Sequence, residues 1–153
     1  MNQEIANTQL SNLHVPIYDN DLGSQKTERE QVFEREATMK IDPHLWPLRY
    51  DFRGDPVVPG NFGTHGMIAL LKAAAIESFG LKKPIFKSLT KKSFSGMIFE
   101  DPKQIRFVLS GIYQNEQGDV VAEESGLYLE DADGERLIDT PIYTFKNLTV
   151  AEE

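Results

Sequence analysis

The stretch THGMIALLKAAAIESF, residues 64–79, decides the fold, because it is the one run long enough and regular enough for an extended α-helix. Met67, Ile68, Leu70, Leu71, Ala74, Ala75, Ile76 and Phe79 wrap nearly all the way round such a helix, and Lys72 and Glu77 are its only charges. An apolar surface wider than one stripe predicts a buried helix rather than one lying on a surface. Gly80 supplies a residue free to turn left-handed just past the end, and Pro84 prevents continuation. The small residues Gly66, Ala69 and Ala73 leave room for a neighbouring element to come close.

Outward from that helix the chain reads as strands. Residues 85–99, 104–114, 120–129 and 137–148 are rich in β-branched and aromatic side chains. They are separated by the turn signals Glu100-Asp101-Pro102, residues 115–119 (NEQGD) and residues 131–134 (DADG). Short turns predict antiparallel neighbours. Before the helix, Phe33, Arg35, Ala37, Met39 and Ile41 alternate with Glu34, Glu36, Thr38 and Lys40, as in a strand with one wet face. Residues 42–63 hold four of the chain's eight prolines, so they read as an ordered loop, pinned by Trp46, Leu48, Phe52, Val57 and Val58. Residues 1–29 read as a polar extension whose one sticky patch, His14 to Tyr18, is expected to dock on the domain; residues 30–150 read as that domain. The fold class is α+β: one curved antiparallel sheet around one long buried helix.

Composition narrows the partners. At 153 residues the chain is one domain, and 16 basic against 24 acidic side chains give a net charge of −8, which repels nucleic acid. The absence of Cys removes disulfides, thiolate metal sites and Cys nucleophiles. Neither a metal nor another cofactor is expected. No apolar run is long enough for a membrane span and the first residues, MNQEIANTQL, lack the pattern of a secretory signal; a soluble, cytoplasmic protein is expected.

Of the three histidines, only His65 stands where a Pro/Gly-rich loop meets the buried helix. A helix N-terminus disfavours a cationic ring there, which suits a general base and equally a structural histidine of the cap region. His44 and His14 read as structural. Asp55, before Pro56, reads as a turn former, whereas Asp51, between Tyr50 and Phe52, is expected to be partly desolvated and so suited to donating a proton, unless Arg49 or Arg53 pairs with it. Met67, Leu70, Leu71 and Phe94 read equally as the lining of an apolar tunnel and as core. Lys82, Lys83, Lys87, Lys91 and Lys92 form a local positive cluster, fit for an acidic partner or for protecting a strand edge.

Residues 46–67, WPLRYDFRGDPVVPGNFGTHGM, resemble the active-site segment of the β-hydroxyacyl-acyl carrier protein dehydratases of the hot-dog fold. The likeness is greatest to the dehydratase/isomerase branch and to the dehydratase domains of polyunsaturated fatty acid and polyketide synthases. Leu45-Trp46, Phe52, Gly54 through Gly60, Gly63 and Met67 fall in register with that family's pattern. One departure stands out: Asp51 occupies the position of the family's histidine, and His65 that of its acid, fourteen residues on as 65 − 51 gives. The resemblance implies a single hot-dog domain and dehydration, with possible trans-2/cis-3 isomerisation, of a β-hydroxyacyl thioester carried by an acyl carrier protein or coenzyme A. His65 and Asp51 would be the catalytic pair, backbone amides at Gly60 and Gly63 the oxyanion site, and Phe52, Val58, Pro59 and Met67 would line the substrate. It also implies a homodimer, or a heterodimer with a homologous hot-dog subunit. Two alternatives stand beside this reading: a non-catalytic or partner-dependent hot-dog subunit, and a thioesterase-type hydrolase on the same fold.

Overall fold

The computed structural model describes residues 18, 20–40, 60–94, 104–137 and 139–153. Seven strands and one helix follow in the order β1 (Asn20–Lys26), β2 (Phe33–Lys40), α1 (Gly60–Phe79), β3 (Pro84–Ser88), β4 (Lys91–Phe94), β5 (Gln104–Gln114), β6 (Val120–Glu130) and β7 (Tyr143–Glu152). All strand pairs are antiparallel in one sheet of order β1-β2-β5-β6-β7-β3, with β4 also on β7. The sheet curves over α1: this is the hot-dog arrangement. Among the described residues no helix is long and apolar enough to cross a membrane.

The core lies between α1 and the inner face of the sheet. Met67, Leu70, Leu71, Ala74 and Ala75 meet Ile105, Phe107, Leu109, Leu127, Tyr143 and Phe145, all fully or almost fully buried. Of the small helical residues, Gly66 makes the close approach: a Cβ there would stand 2.5 Å from Phe107 Cε1. Ala69 and Ala73 are only half-buried. The helix is not enclosed all round by the described residues either, for Ile76 is 50% exposed and Ile68 half-buried. A single sheet covers one side of a helix; the other side is open to whatever else packs on it.

Four boundaries differ from the sequence reading, each for a physical reason. Residues 20–26 (NDLGSQK), read as extension, form the edge strand β1, whose polar sequence carries no apolar alternation and whose pairing is broken between Asp21 and Ser24, where Gly23 takes φ +82°. Helix α1 begins at Gly60 rather than Thr64. The strand read over 85–99 is interrupted: β3 and β4 are separate segments on β7, and Thr90 N donates to Lys146 O at the break. The strand read over 137–148 begins at Tyr143, because residues 131–142 fold back over the outer face. There Asp131 Oδ1 accepts from the amides of Asp133 and Glu135, Arg136 stacks on Tyr128 at 3.7 Å, and Pro141 lies against Gly126.

A crease crosses the sheet. Gly111 (φ +63°), Glu123 and Asn147 (φ +51°) fall opposite one another on β5, β6 and β7. Along each strand the inward-facing residues are there three apart instead of two: Leu109 to Ile112, Ala122 to Ser125, and Phe145 to Leu148. The Glu123 side chain lies over Gly111, where any Cβ would be 2.5 Å from its Oε1, and Arg29 pairs with that carboxylate at 2.6 Å.

Candidate active site

Gly60, Asn61, Phe62 and Gly63 make up the first turn of α1. The first four amides of a helix have no intrahelical acceptor, and their alignment favours negative charge. That is the arrangement an oxyanion needs.

His65 is the sixth residue of α1, one turn further in than the sequence reading placed it, and its side chain is exposed. The helix dipole acts chiefly within the first turn, so the argument from the dipole weakens; the accessibility of the ring to a substrate does not. At 100° per residue, Ala69, Lys72 and Ile76 fall in line with His65 along the open side of α1. Met67 lies 200° round from His65 and is completely buried against the sheet. It is therefore a core residue in this chain and not a neighbour of His65; Leu70 and Leu71 are buried likewise. Asp51, Phe52, Val58 and Pro59, with Arg49, Arg53, Asp55, His44 and His14, lie outside the described residues, as does the side chain of Phe94.

The lysines are spread along one border of the sheet. Lys82 and Lys83 follow α1, Lys87 is on β3, and Lys91 and Lys92 are on β4, all on the segment that borders β7. Part of their charge is neutralised: Lys87 pairs with Asp119 at 2.5 Å and Lys83 with Glu153 at 2.7 Å, while Lys92 lies over the Phe145 ring at 5.8 Å. The amides of Lys82 and Lys83 donate to the Glu152 carboxylate, and these two bonds hold its pKa below the usual range. Beside the lysines, Ile85 and Phe86 are 42% and 44% exposed on consecutive residues of an edge strand, hence on opposite faces of the sheet.

A polar cluster that the sequence reading missed lies where β1, β2 and α1 meet. Arg35, only 3% exposed, donates from Nε and Nη2 to the two carboxylate oxygens of Asp21 (3.0 and 2.5 Å) and from Nη1 to Ser24 Oγ (2.9 Å), and pairs with Glu77 of α1. Burial alone would lower its pKa; the bonds to Asp21 and Glu77 outweigh that and raise it. Tyr18 packs edge-on to Phe107 with ring centres 6.4 Å apart, and burial followed by the Asp21 charge raises its phenol pKa. The signal was present: Arg35 occupies an inward position of an alternating strand, where a charge demands partners.

A shallow depression of about 1050 Å³ lies elsewhere, on the outer face, lined by side chains of both signs including Lys26, Glu34, Glu124 and Lys146. Ser110, Glu124 and Lys146, which line it, alternate with the inward-facing Leu109, Ser125 and Phe145, so it opens on the side of the sheet away from α1. Among the described residues no group of His, Asp or Glu could hold a metal ion.

No family model and no curated protein matches the chain. Solved structures do. An uncharacterized protein from Erwinia carotovora subsp. atroseptica is 18% identical, over 87% of this chain and 95% of that one, with a TM-score of 0.54. The dehydratase heterocomplex ApeI:P from Xenorhabdus doucetiae is 15% identical over 86% and 96%, with a TM-score of 0.47. The Lactococcus lactis protein yhdA, named as a candidate thioesterase, is 13% identical over the whole of both chains, with a TM-score of 0.49. At such identities the likeness is one of fold.

Proposed function

We propose that this protein is a dehydratase of β-hydroxyacyl thioesters, presented by an acyl carrier protein or coenzyme A, with His65 and Asp51 as its acid–base pair. The carrying observation is the start of α1, where a first turn whose amides have no intrahelical acceptor stands one turn before an exposed imidazole. The register of residues 46–67 with the dehydratase segment supports the same reading. In the reaction the thioester oxygen rests on the Gly60–Gly63 amides, and the neutral His65 ring takes the α-proton. The electron pair left on the α-carbon forms the double bond as the β C–O bond breaks. Asp51, entering as the carboxylic acid, protonates the departing hydroxyl, so that one water leaves and an enoyl thioester remains. The imidazolium and carboxylate then exchange a proton to restore the starting state. The lysine segment 82–92 is the docking surface for an acidic carrier in this reading.

The test is mass spectrometry of β-hydroxyacyl and trans-2-enoyl thioesters, on carrier protein and on coenzyme A. Wild type is expected to interconvert them with loss or gain of one water, and His65→Ala and Asp51→Asn to lower the rate by about 10²–10⁴-fold. Release of free thiol instead would make the protein a hydrolase. Unchanged mass and unchanged double-bond position by chromatography would assign it to a partner-dependent subunit.

The resemblance also implies a second hot-dog subunit, and the β3/β4 border fits one: β3, an edge strand among the described residues, bears Ile85 and Phe86, which are covered when two sheets join. Light scattering of wild type is expected to give a dimer, and Phe86→Lys a monomer that keeps its far-ultraviolet circular dichroism. A monomeric wild type would rule out self-pairing.

A further inference from the structure

The polar cluster around Arg35 is not used by the proposed chemistry, yet it touches the same helix. Strand β1 has no large inward apolar side chain of its own, and Leu22 is exposed. What holds this edge strand beyond its ladder to β2 is Arg35, a buried guanidinium shared between Asp21 of β1 and Glu77 of α1. Just before β1, the Tyr18 ring lies on Phe107, and Phe107 in turn fills the space against Gly66, the residue after His65. Gly66 and Glu77 are eleven residues apart, three turns plus 20°, so both contacts fall on one face of α1, about 16 Å from each other along its axis. Two fixed points on one face set both the position and the rotation of a helix.

We propose that Tyr18 and Arg35 are positioning residues, which clamp α1 from the β1 side at two points and thereby fix where His65 stands over the sheet. The ring of Tyr18 holds Phe107 against Gly66 at one end. The Arg35 fork ties Glu77 to Asp21 at the other, and so fastens the strand that follows Tyr18 into place. The inference rests on the reading of His65 as the site residue, but its test needs no turnover: an inactive protein leaves the clamp measurable, and a broken clamp leaves the chemistry untested by it.

The experiment follows the His65 ring by two-dimensional NMR, assigned with His65→Gln, in full-length Tyr18→Ser, Tyr18→Phe and Glu77→Gln, together with hydrogen exchange of β1. In Tyr18→Ser the His65 ring resonances and the Gly66 amide are expected to move well beyond their linewidths, while Tyr18→Phe, which keeps the ring contact, returns them close to wild type. Glu77→Gln is expected to speed exchange of the Ser24 and Gln25 amides at least tenfold and leave the β5–β6 ladder unchanged. Should Tyr18→Ser fail to fold, Tyr18→Leu takes its place with the same two outcomes. Unmoved His65 resonances in a folded variant lacking the Tyr18 ring would overturn the proposal, as would β1 exchange that Glu77→Gln leaves as slow as before.

Discussion

Phe107→Ala is expected to lower the stability of the domain by about 3–5 kcal/mol, with a fall in melting temperature on the order of 10 °C. Phe107 is completely buried near the middle of β5, between Ala37 of β2 and Leu127 of β6, with α1 above it at Gly66. Truncation removes the burial of a whole aromatic ring and also leaves a hollow that the surroundings cannot fill. Gly66 has no side chain to lean in, and Ala37 on the neighbouring strand is small. A partial collapse would have to move the helix or draw in the half-buried Tyr18 ring, which packs edge-on to Phe107. Phe107→Leu restores most of the volume and is expected to recover at least half of the loss. Urea denaturation of the three proteins decides the matter, and a loss under about 1 kcal/mol in Phe107→Ala would mean that α1 settles freely onto the sheet, contrary to the close packing at Gly66.

Asp21→Ala is expected to cost about 2–3 kcal/mol, large for a residue at a sheet edge. Surface ion pairs contribute little because water competes for both charges. Here the cation is 3% exposed and the loss of Asp21 removes two charge-assisted hydrogen bonds, leaving the guanidinium with Ser24 and Glu77. The figure stays below the full cost of stranding a buried charge because Glu77 remains and is itself more than half exposed. Combining Asp21→Ala with Arg35→Met, which takes the cation away, is expected to destabilise by clearly less than the sum of the two single changes. Strict additivity in that cycle would show that the two groups do not interact in solution.

What could be read in advance depended on whether burial left a period in the sequence. The central helix and the turns at residues 115–119 and 131–134 announced themselves, because each rests on local chemistry: an apolar run, or an Asn or Asp that caps its own turn. Strand β1 did not, since NDLGSQK is held by a ladder and an ion pair that only the folded chain brings together. The extra turn of α1 was hidden by Gly60 and Gly63, which weigh against helix on propensity and are admitted where the first turn needs them. Of the candidate site, His65 and the Gly60–Gly63 turn fall within the described residues and lie on one stretch of helix. Met67 could be read as lining or as core, because spacing along a chain does not say which side of a helix faces the sheet; its side chain is fully buried.

The crease through Gly111, Glu123 and Asn147 makes β5, β6 and β7 heritable as a set. Each strand changes phase at the same level, so removing one residue from a single strand would turn half of that strand's apolar face outward while its neighbours kept theirs inside. Length changes can therefore accumulate in the loops but not across this line, unless all three strands change together. Descendants of this chain would diverge freely in side chains and still preserve, as a kind of frame mark, the level at which three ladders skip a beat.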